Sequence, residues 1–577
     1  MAGGAGSGTS GQSGKGGAGS TAGAGPGGSS TAGAAGSTTG GAAGSTAGAA
    51  GSATAGAAGA SAGGTSAGGS GGSSAGTSSG GSGGTGPTLY TDFPATPVAD
   101  GDLPPDSPVG GFGDPGSGGA GGPCLVEPQV GTLFPRNWVR PRFRWAATGG
   151  DDVFELRITA ANQANPLVVY TKATSWTMPL AMWQGLTAHS NDIPLTVTVR
   201  SGHLVNGSLD GPPHVGTSGD VTIAPVEAAG SLVYWTTSSN GALRGFSPGD
   251  ESVVVALEPK QVQAKPQGKD VTCIGCHTST PDGLFAGFKT IQSASGGVLA
   301  SVEKDKVGQA PAYWTQTSID LMNNPGFGIP SFSKTHWATG DRVLLSSWGN
   351  GTGANLSWFD LEATSAATAR GELARTGDTR GAIMPAWSHD GQSVIYTSMS
   401  GSSDGRPASG DNDIYRIPYN DRAGGAATPI AGASDPAYSE YYPALSPDDS
   451  LIAFNRTPKD IDPYNQPQAE IFVVPSSGGT PVRLAANDPD ACTGLASPGL
   501  TNSWPKWAPE NPTVGSRTFY WLAFSSRRTG AAPQIYLTAV VVDGSAIKTF
   551  PALYIWAQPA NEANHTPAWD VFQIPKP

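Results

Sequence analysis

The stretch Val271-Thr-Cys-Ile-Gly-Cys-His-Thr-Ser-Thr-Pro-Asp-Gly sets Cys273, Cys276 and His277 in a CxxCH spacing. Two thiols placed this way can add to the two vinyl groups of a haem, while the adjoining imidazole reaches the iron from one side. In a chain with only 4 Cys and 7 His, chance rarely writes that pattern. The expectation is one covalent haem c, with Cys273 and Cys276 as its anchors and His277 as the proximal iron ligand. Two other chemistries use the same spacing: a local disulfide, and half of a zinc site. Zinc lacks a second CxxC or a close Cys/His pair to complete four ligands. A sixth ligand for iron has to come from elsewhere in the chain, with Met384, His565, His336 and Met322 as candidates, or that position stays open. Each candidate also has a plain alternative: Met384 as a packing residue, His565 as a hydrogen-bonded strand residue. A Met or His in the sixth position suits electron transfer, and an open one suits binding or redox chemistry of a small ligand.

Positioning these side chains falls to a set of repeats. Met384-Pro-Ala-Trp-Ser-His-Asp-Gly-Gln-Ser-Val-Ile-Tyr-Thr-Ser is echoed by Tyr442-Pro-Ala-Leu-Ser-Pro-Asp-Asp-Ser-Leu-Ile-Ala-Phe and by Trp504-Pro-Lys-Trp-Ala-Pro. A second phrase follows each copy: Asp413-Ile-Tyr-Arg-Ile-Pro, Glu470-Ile-Phe-Val-Val-Pro and Gln534-Ile-Tyr-Leu. The unit is a strand, a tight Ser-x-Asp-Gly type turn, a second β-rich strand and a third. One such meander cannot bury both its faces, so copies must stack around an axis. Weaker copies begin near Gly230, Thr280 and Gly340, and His565-Thr-Pro-Ala-Trp-Asp is an opening strand with no unit after it. These phrases resemble the repeats of TolB-type β-propellers, which implies an all-β ring over residues 226–577. The expected ring has six blades, with seven as the alternative, and is closed by the strand at His565 pairing near Leu232. Aligning Asp282-Gly283 with Asp390-Gly391 sets Cys276 level with Met384, Tyr442 and Trp504, and His277 level with Pro385. The motif therefore replaces the inner strand of one blade and should face the axial tunnel.

Two segments precede the ring. Residues 1–87 are nearly all Gly, Ala, Ser and Thr, with Lys15 as the only charge, and 88–124 stay rich in Gly and Pro. Such a stretch has little to bury against its conformational entropy, so 1–124 reads as a disordered tether. Over 125–225 short alternating strands appear: Phe143 and Trp145, then Phe154, Leu156 and Ile158, then Leu195, Val197 and Val199. Their order resembles an immunoglobulin or fibronectin type III-like sandwich.

The formal net charge of −12 repels nucleic acid and anionic membranes, and no apolar run reaches the roughly 20 residues of a membrane span. Met1 leads straight into Ala-Gly-Gly-Ala, so this chain shows no export signal. The haem motif argues the other way, because the c-type cytochromes it resembles acquire haem outside the cytoplasmic membrane. The expected location is extracytoplasmic: periplasm, outer surface or secreted. Cys124 and Cys492 are left over and can pair there. No grouping of acid, base and nucleophile marks an enzyme. The expected role is a surface-tethered carrier of electrons or binder of a redox ligand, working with a redox or surface partner that the sequence does not specify. The alternative is a haem-free adhesion or scaffold module binding protein or glycan.

Overall fold

The computed structural model describes residues 88–101, 103, 111–238, 241–290, 295–349, 353–400 and 406–576. The stretch 1–87, expected to be a tether, lies outside them. The described chain is all-β, with short α-helices only at Leu180–His189, Gln316–Met322 and Lys334–Ala338. None of these is long and apolar enough to cross a membrane.

The first part of the described chain is two sheets sharing one core. Val153–Thr159 pairs with Leu167–Thr171 on one side and with Leu195–Gly202 on the other, and the latter pairs with His214–Ile223. The second sheet joins Cys124–Glu127, Arg142–Ala146 and Ser175–Thr177. Phe154, Leu156 and Ile158 alternate with outward-facing neighbours and meet Phe143 and Trp145 of the other sheet in one cluster. Each such fully buried side chain contributes about 1.5–3 kcal/mol. The Gly- and Pro-rich stretch read from sequence as the end of the tether is partly built into this body. Val98–Ala99 and Gly119–Ala120 extend the larger sheet at its two ends. The reason is a few large side chains that the composition hides: Phe93 is 1 % exposed and Phe112 is fully buried. The helix Leu180–His189 is also unannounced by the strand pattern. It docks through Trp183 and Leu186, three positions apart and therefore on one helical face.

From Ser231 onward the chain lays down one antiparallel meander after another. Their inner strands are Ile274–Ser279, Ser331–Phe332, Gly381–Trp387, Tyr438–Leu445 and Ser503–Trp507. The final strand, Asn564–Asp570, pairs with Ser231–Thr236, with Leu232 opposite Trp569, so the end of the chain completes the sheet its beginning opened. Tight turns recur with one chemistry. Thr280, Ser388 and Ser446 donate a hydroxyl to Asp282, Asp390 and Asp448 at 2.5, 2.6 and 2.7 Å. Each carboxylate then accepts the backbone N–H two residues on, from Leu284, Gln392 and Ser450. The next position needs positive φ, which Gly283 and Gly391 supply freely and Asp449 tolerates.

A second device repeats on the inner strands. Cys276, Met384, Tyr442, Trp504 and Thr566 all take φ between 50° and 61°. Strand pairing skips a step at each of these places. Four of the five precede a proline, at 385, 443, 505 and 567, which has no N–H for the ladder. Left-handed backbone at a side-chain-bearing residue costs about 1–3 kcal/mol, so its recurrence marks a position the ring requires. The bulge turns that residue toward the axis. In the fifth copy His277 stands where the others have proline.

Candidate functional site

The axis of the ring holds three cavities in line. The narrow middle one, about 70 Å³, is bordered by residues of every inner strand, including Cys276, Pro330, Pro385, Pro443 and Pro567. On one side it opens through Cys276, Met384, Trp504 and Thr566 into a larger mouth of about 320 Å³. On the other side it shares Ser331, Ala386 and Lys506 with a mouth of about 130 Å³. The fold is a β-propeller.

The larger mouth gathers Trp235, Cys276, Lys289, Met384, Arg406, Tyr464, Trp504 and His565. Its wall is aromatic: Tyr442 stacks on Trp504 with ring centres 3.7 Å apart, and the Arg406 guanidinium lies 4.7 Å over the Tyr464 ring. His565 packs edge-on to Trp235 at 4.8 Å, and its Nδ1 shares a 2.6 Å hydrogen bond with the Thr566 hydroxyl. Burial, aided by the charge of Arg527 and then by His277, pushes His565 down to about 4. The ring is therefore neutral at ordinary pH and suited to accept a hydrogen bond or bind a metal. Met384 is buried in the same apolar cluster, against which Cys276 packs.

Cys273 and His277 point elsewhere. Neither motif cysteine is in a disulfide. The Cys273 sulfur is 5 % exposed and lies against Gly241, where a Cβ would sit 3.0 Å from it. Burial, and then the neighbouring Cys276, pushes its thiol up to about 11. The His277 imidazole, 3 % exposed, turns between two sheets, with Nε2 3.2 Å from the Val233 carbonyl oxygen. Its Nδ1 is buried without a partner, and burial pushes the ring down to about 4. The cause is strand geometry. Cys273 sits just before the strand Ile274–Ser279 and Cys276 at its bulge, so only Cys276 is turned into the mouth, whereas a helical turn would bring the two thiols to one face. His336 is occupied too: its Nε2 meets the Gly391 carbonyl at 3.1 Å and its ring packs against Trp387 and Tyr419. Met322 is buried in a different core cluster. Of the residues singled out in the sequence, the structure brings Cys276, Met384 and His565 to the larger mouth, sets His277 at the border of the narrow middle cavity, and leaves Cys273, His336 and Met322 outside both. For a haem, the aromatic mouth, one thiol and two soft or imidazole donors fit. Two thioethers together with ligation by His277 do not fit the strand Ile274–Ser279 as folded.

Cys124 and Cys492 form a disulfide, with Cα atoms 5.6 Å apart, that ties the two-sheet body to a loop of the propeller. No protein-family model matches the chain, and no curated protein matches it. Among solved structures it is similar to one described as TolB from Agrobacterium tumefaciens, at 13 % identity over 56 % of this chain and 89 % of that one, TM-score 0.31. It is also similar to hydrazine synthase of Kuenenia stuttgartiensis, at 12 % identity over 52 % of this chain and 70 % of that one, TM-score 0.31. An ancestral GH74 enzyme matches at 12 % identity over 58 % of this chain and 40 % of that one, TM-score 0.33.

Sequence reasoning missed Trp235, which lies within the weak copy beginning near Gly230, and Lys289, Arg406 and Tyr464, which reach the mouth from positions outside the repeated phrases. It also passed over Lys506, although a signal was present: Pro505-Lys506-Trp507 breaks the Pro-Ala pattern of its sister repeats.

Proposed function

We propose that this protein is a six-bladed, TolB-like propeller behind an immunoglobulin or fibronectin type III-like sandwich, and that it holds a redox-active haem at the larger mouth of its axial tunnel. One observation carries the reading. Cys276 stands at the bulged, axis-facing position of the repeat, outside any disulfide, and brings its thiol to an aromatic cavity of about 320 Å³. Bound there, a haem supplies one-electron chemistry or a site for a small redox ligand. Cys276 is the anchor, Met384 and His565 are the donors that face the cavity, and Lys289 and Arg406 offer positive charge to acidic substituents. Attachment through Cys273 as well, with His277 on the metal, requires Ile274–Ser279 to leave its present pairing. The disulfide Cys124–Cys492 supports an oxidising, extracytoplasmic setting, because reducing compartments keep thiols apart. Residues 1–87 then serve as the leash to a surface.

The second reading is a haem-free module that binds protein or glycan. What favours it is the burial of Cys273 and His277 away from the cavity.

Expression of the full chain with and without a cytochrome c maturation system separates the two. The expected result is a haem-stained band on a denaturing gel only from the matured sample, lost in Cys276→Ala. A colourless band from matured wild-type protein overturns the haem reading.

A further inference from the structure

The opposite mouth of the tunnel carries a separate signal. One residue past the proline position, the inner strands present Thr278, Ser331, Ala386, Ala444, Lys506 and Ala568. Five are small and one is a long cation. The ring closes without a large side chain at that level, so Lys506 is not needed to fill it. Its side chain borders both the narrow middle of the tunnel and the 130 Å³ mouth. Among the described residues its ammonium has no hydrogen bond and no ion pair within 4.0 Å.

Lys506 is half-buried, so its ammonium is drawn partly from water and has no counter-charge bonded to it. Burial pushes Lys506 below the usual lysine range, opposed first by Asp570 and then by Cys276. Asp570 is already engaged: it accepts the Val571 N–H at 2.9 Å and faces the Lys334 ammonium at 3.8 Å. His389, also at this mouth, is held by Asp449 at 2.9 Å. The mouth is thus lined by two ammonium-bearing side chains and one carboxylate of its own, with Trp387, Trp507 and Trp569, each 5 % exposed, at its edges. One added negative charge pairs with the unpartnered ammonium, and a small body suits a mouth of about 130 Å³. A dianion would face the Asp570 carboxylate with charge to spare.

We propose that the Lys506 mouth of the tunnel is a binding site for a small organic monocarboxylate, with Lys506 as its charge partner. The site lies on the other side of the constriction from the proposed haem, and no motif residue lines its mouth. Benzoate serves as the probe, read by tryptophan fluorescence and calorimetry on the full chain. Benzamide is the neutral isostere, and inorganic phosphate tests for a general anion site. The expected result is saturable benzoate binding, absent for benzamide and weaker for phosphate, with affinity reduced at least tenfold in Lys506→Met. Lys506→Ala, which restores the residue of three sister repeats, should behave the same and melt no lower than wild type. Cys276→Ala should bind benzoate as wild type does, so loss of haem and loss of this site are read separately. Equal affinity in Lys506→Met, benzamide binding as tight as benzoate, phosphate binding as tight as benzoate, or no benzoate binding by the wild-type chain overturns the proposal.

Discussion

Arg200 in the two-sheet body is a fully buried cation and Lys506 in the propeller a half-buried one, and the fold treats them in opposite ways. Each of the three guanidinium nitrogens of Arg200 is hydrogen-bonded. Its Nε and Nη2 meet Glu155 Oε1 at 3.0 and 2.7 Å, while Nη1 donates to the carbonyls of Phe112, Asp114 and Ser117 at 2.8, 2.8 and 3.1 Å. That arrangement pins a Gly-rich segment together with the buried Phe112 and the pairing of Gly119–Ala120. Lys506 has room around it and no partner. A buried charge with all its bonds made is architecture, and one whose bonds are missing is held ready for something that arrives from solution.

The largest test of this contrast is to remove each cation. Arg200→Ala leaves Glu155 buried without its main partner and should cost about 3–5 kcal/mol in urea unfolding. It should also open the 111–120 segment to protease. Lys506→Met should cost nothing measurable. If Arg200→Ala behaves like a surface substitution, the division between structural and ligand-facing charge fails.

The next test concerns the join between the two regions. The Cys124–Cys492 bond closes a sequence separation of 368 residues. Replacing both cysteines with serine should lower stability by about 2–4 kcal/mol, measured by denaturant unfolding of the variant beside oxidised wild type. Benzoate binding at the tunnel should be unchanged, because the bond lies at the seam and not at the axis. Loss of tunnel binding in that variant would mean that the two regions are not separable in function.

How much of this was legible depends on how local the physics is. The Ser-x-Asp turns, the bulge before proline at Met384, Tyr442, Trp504 and Thr566, and the closing strand at His565 are each written within a few neighbouring residues. Repetition exposes them, and the level of Cys276 with Met384 follows from the same register. The packing of Phe93 and Phe112 was hidden because two aromatics cannot outweigh a Gly- and Pro-rich average. The direction of His277 was hidden for another reason. Its motif is usually read as a compact turn, and only the pairing of Ile274–Ser279 with Phe285–Thr290 shows that here it is spent on a strand. Lys506 was visible as a broken repeat, but its meaning depends on what stands across the tunnel.

Between the fully paired and the unpaired charge lies an intermediate case at the seam. Asp490 and Glu127 line a small cavity of about 50 Å³ beside the disulfide loop, and each has one buried carboxylate oxygen without a partner. Burial pushes Asp490 up to about 6, against a weaker downward pull from the Val130 N–H. Between the unfolded value near 3.8 and that folded value, the folded chain holds a proton that the unfolded chain has released. The Asp490 contribution to stability is therefore complete below about pH 4 and is lost as pH rises through 6. Asp490→Asn keeps an oxygen for the Val130 N–H and removes the titration. With the partial exposure of the side chain discounted, the variant should equal wild type near pH 4 and exceed it by about 1 kcal/mol at pH 7. His277 and His565, both pushed down to about 4, slope the other way over much of this range. The quantity to measure is thus the difference between variant and wild type at each pH in urea unfolding. A difference that stays flat from pH 4 to 7 would place Asp490 in solvent and leave the seam with no strained charge. Partner loss would then be a property of the tunnel alone.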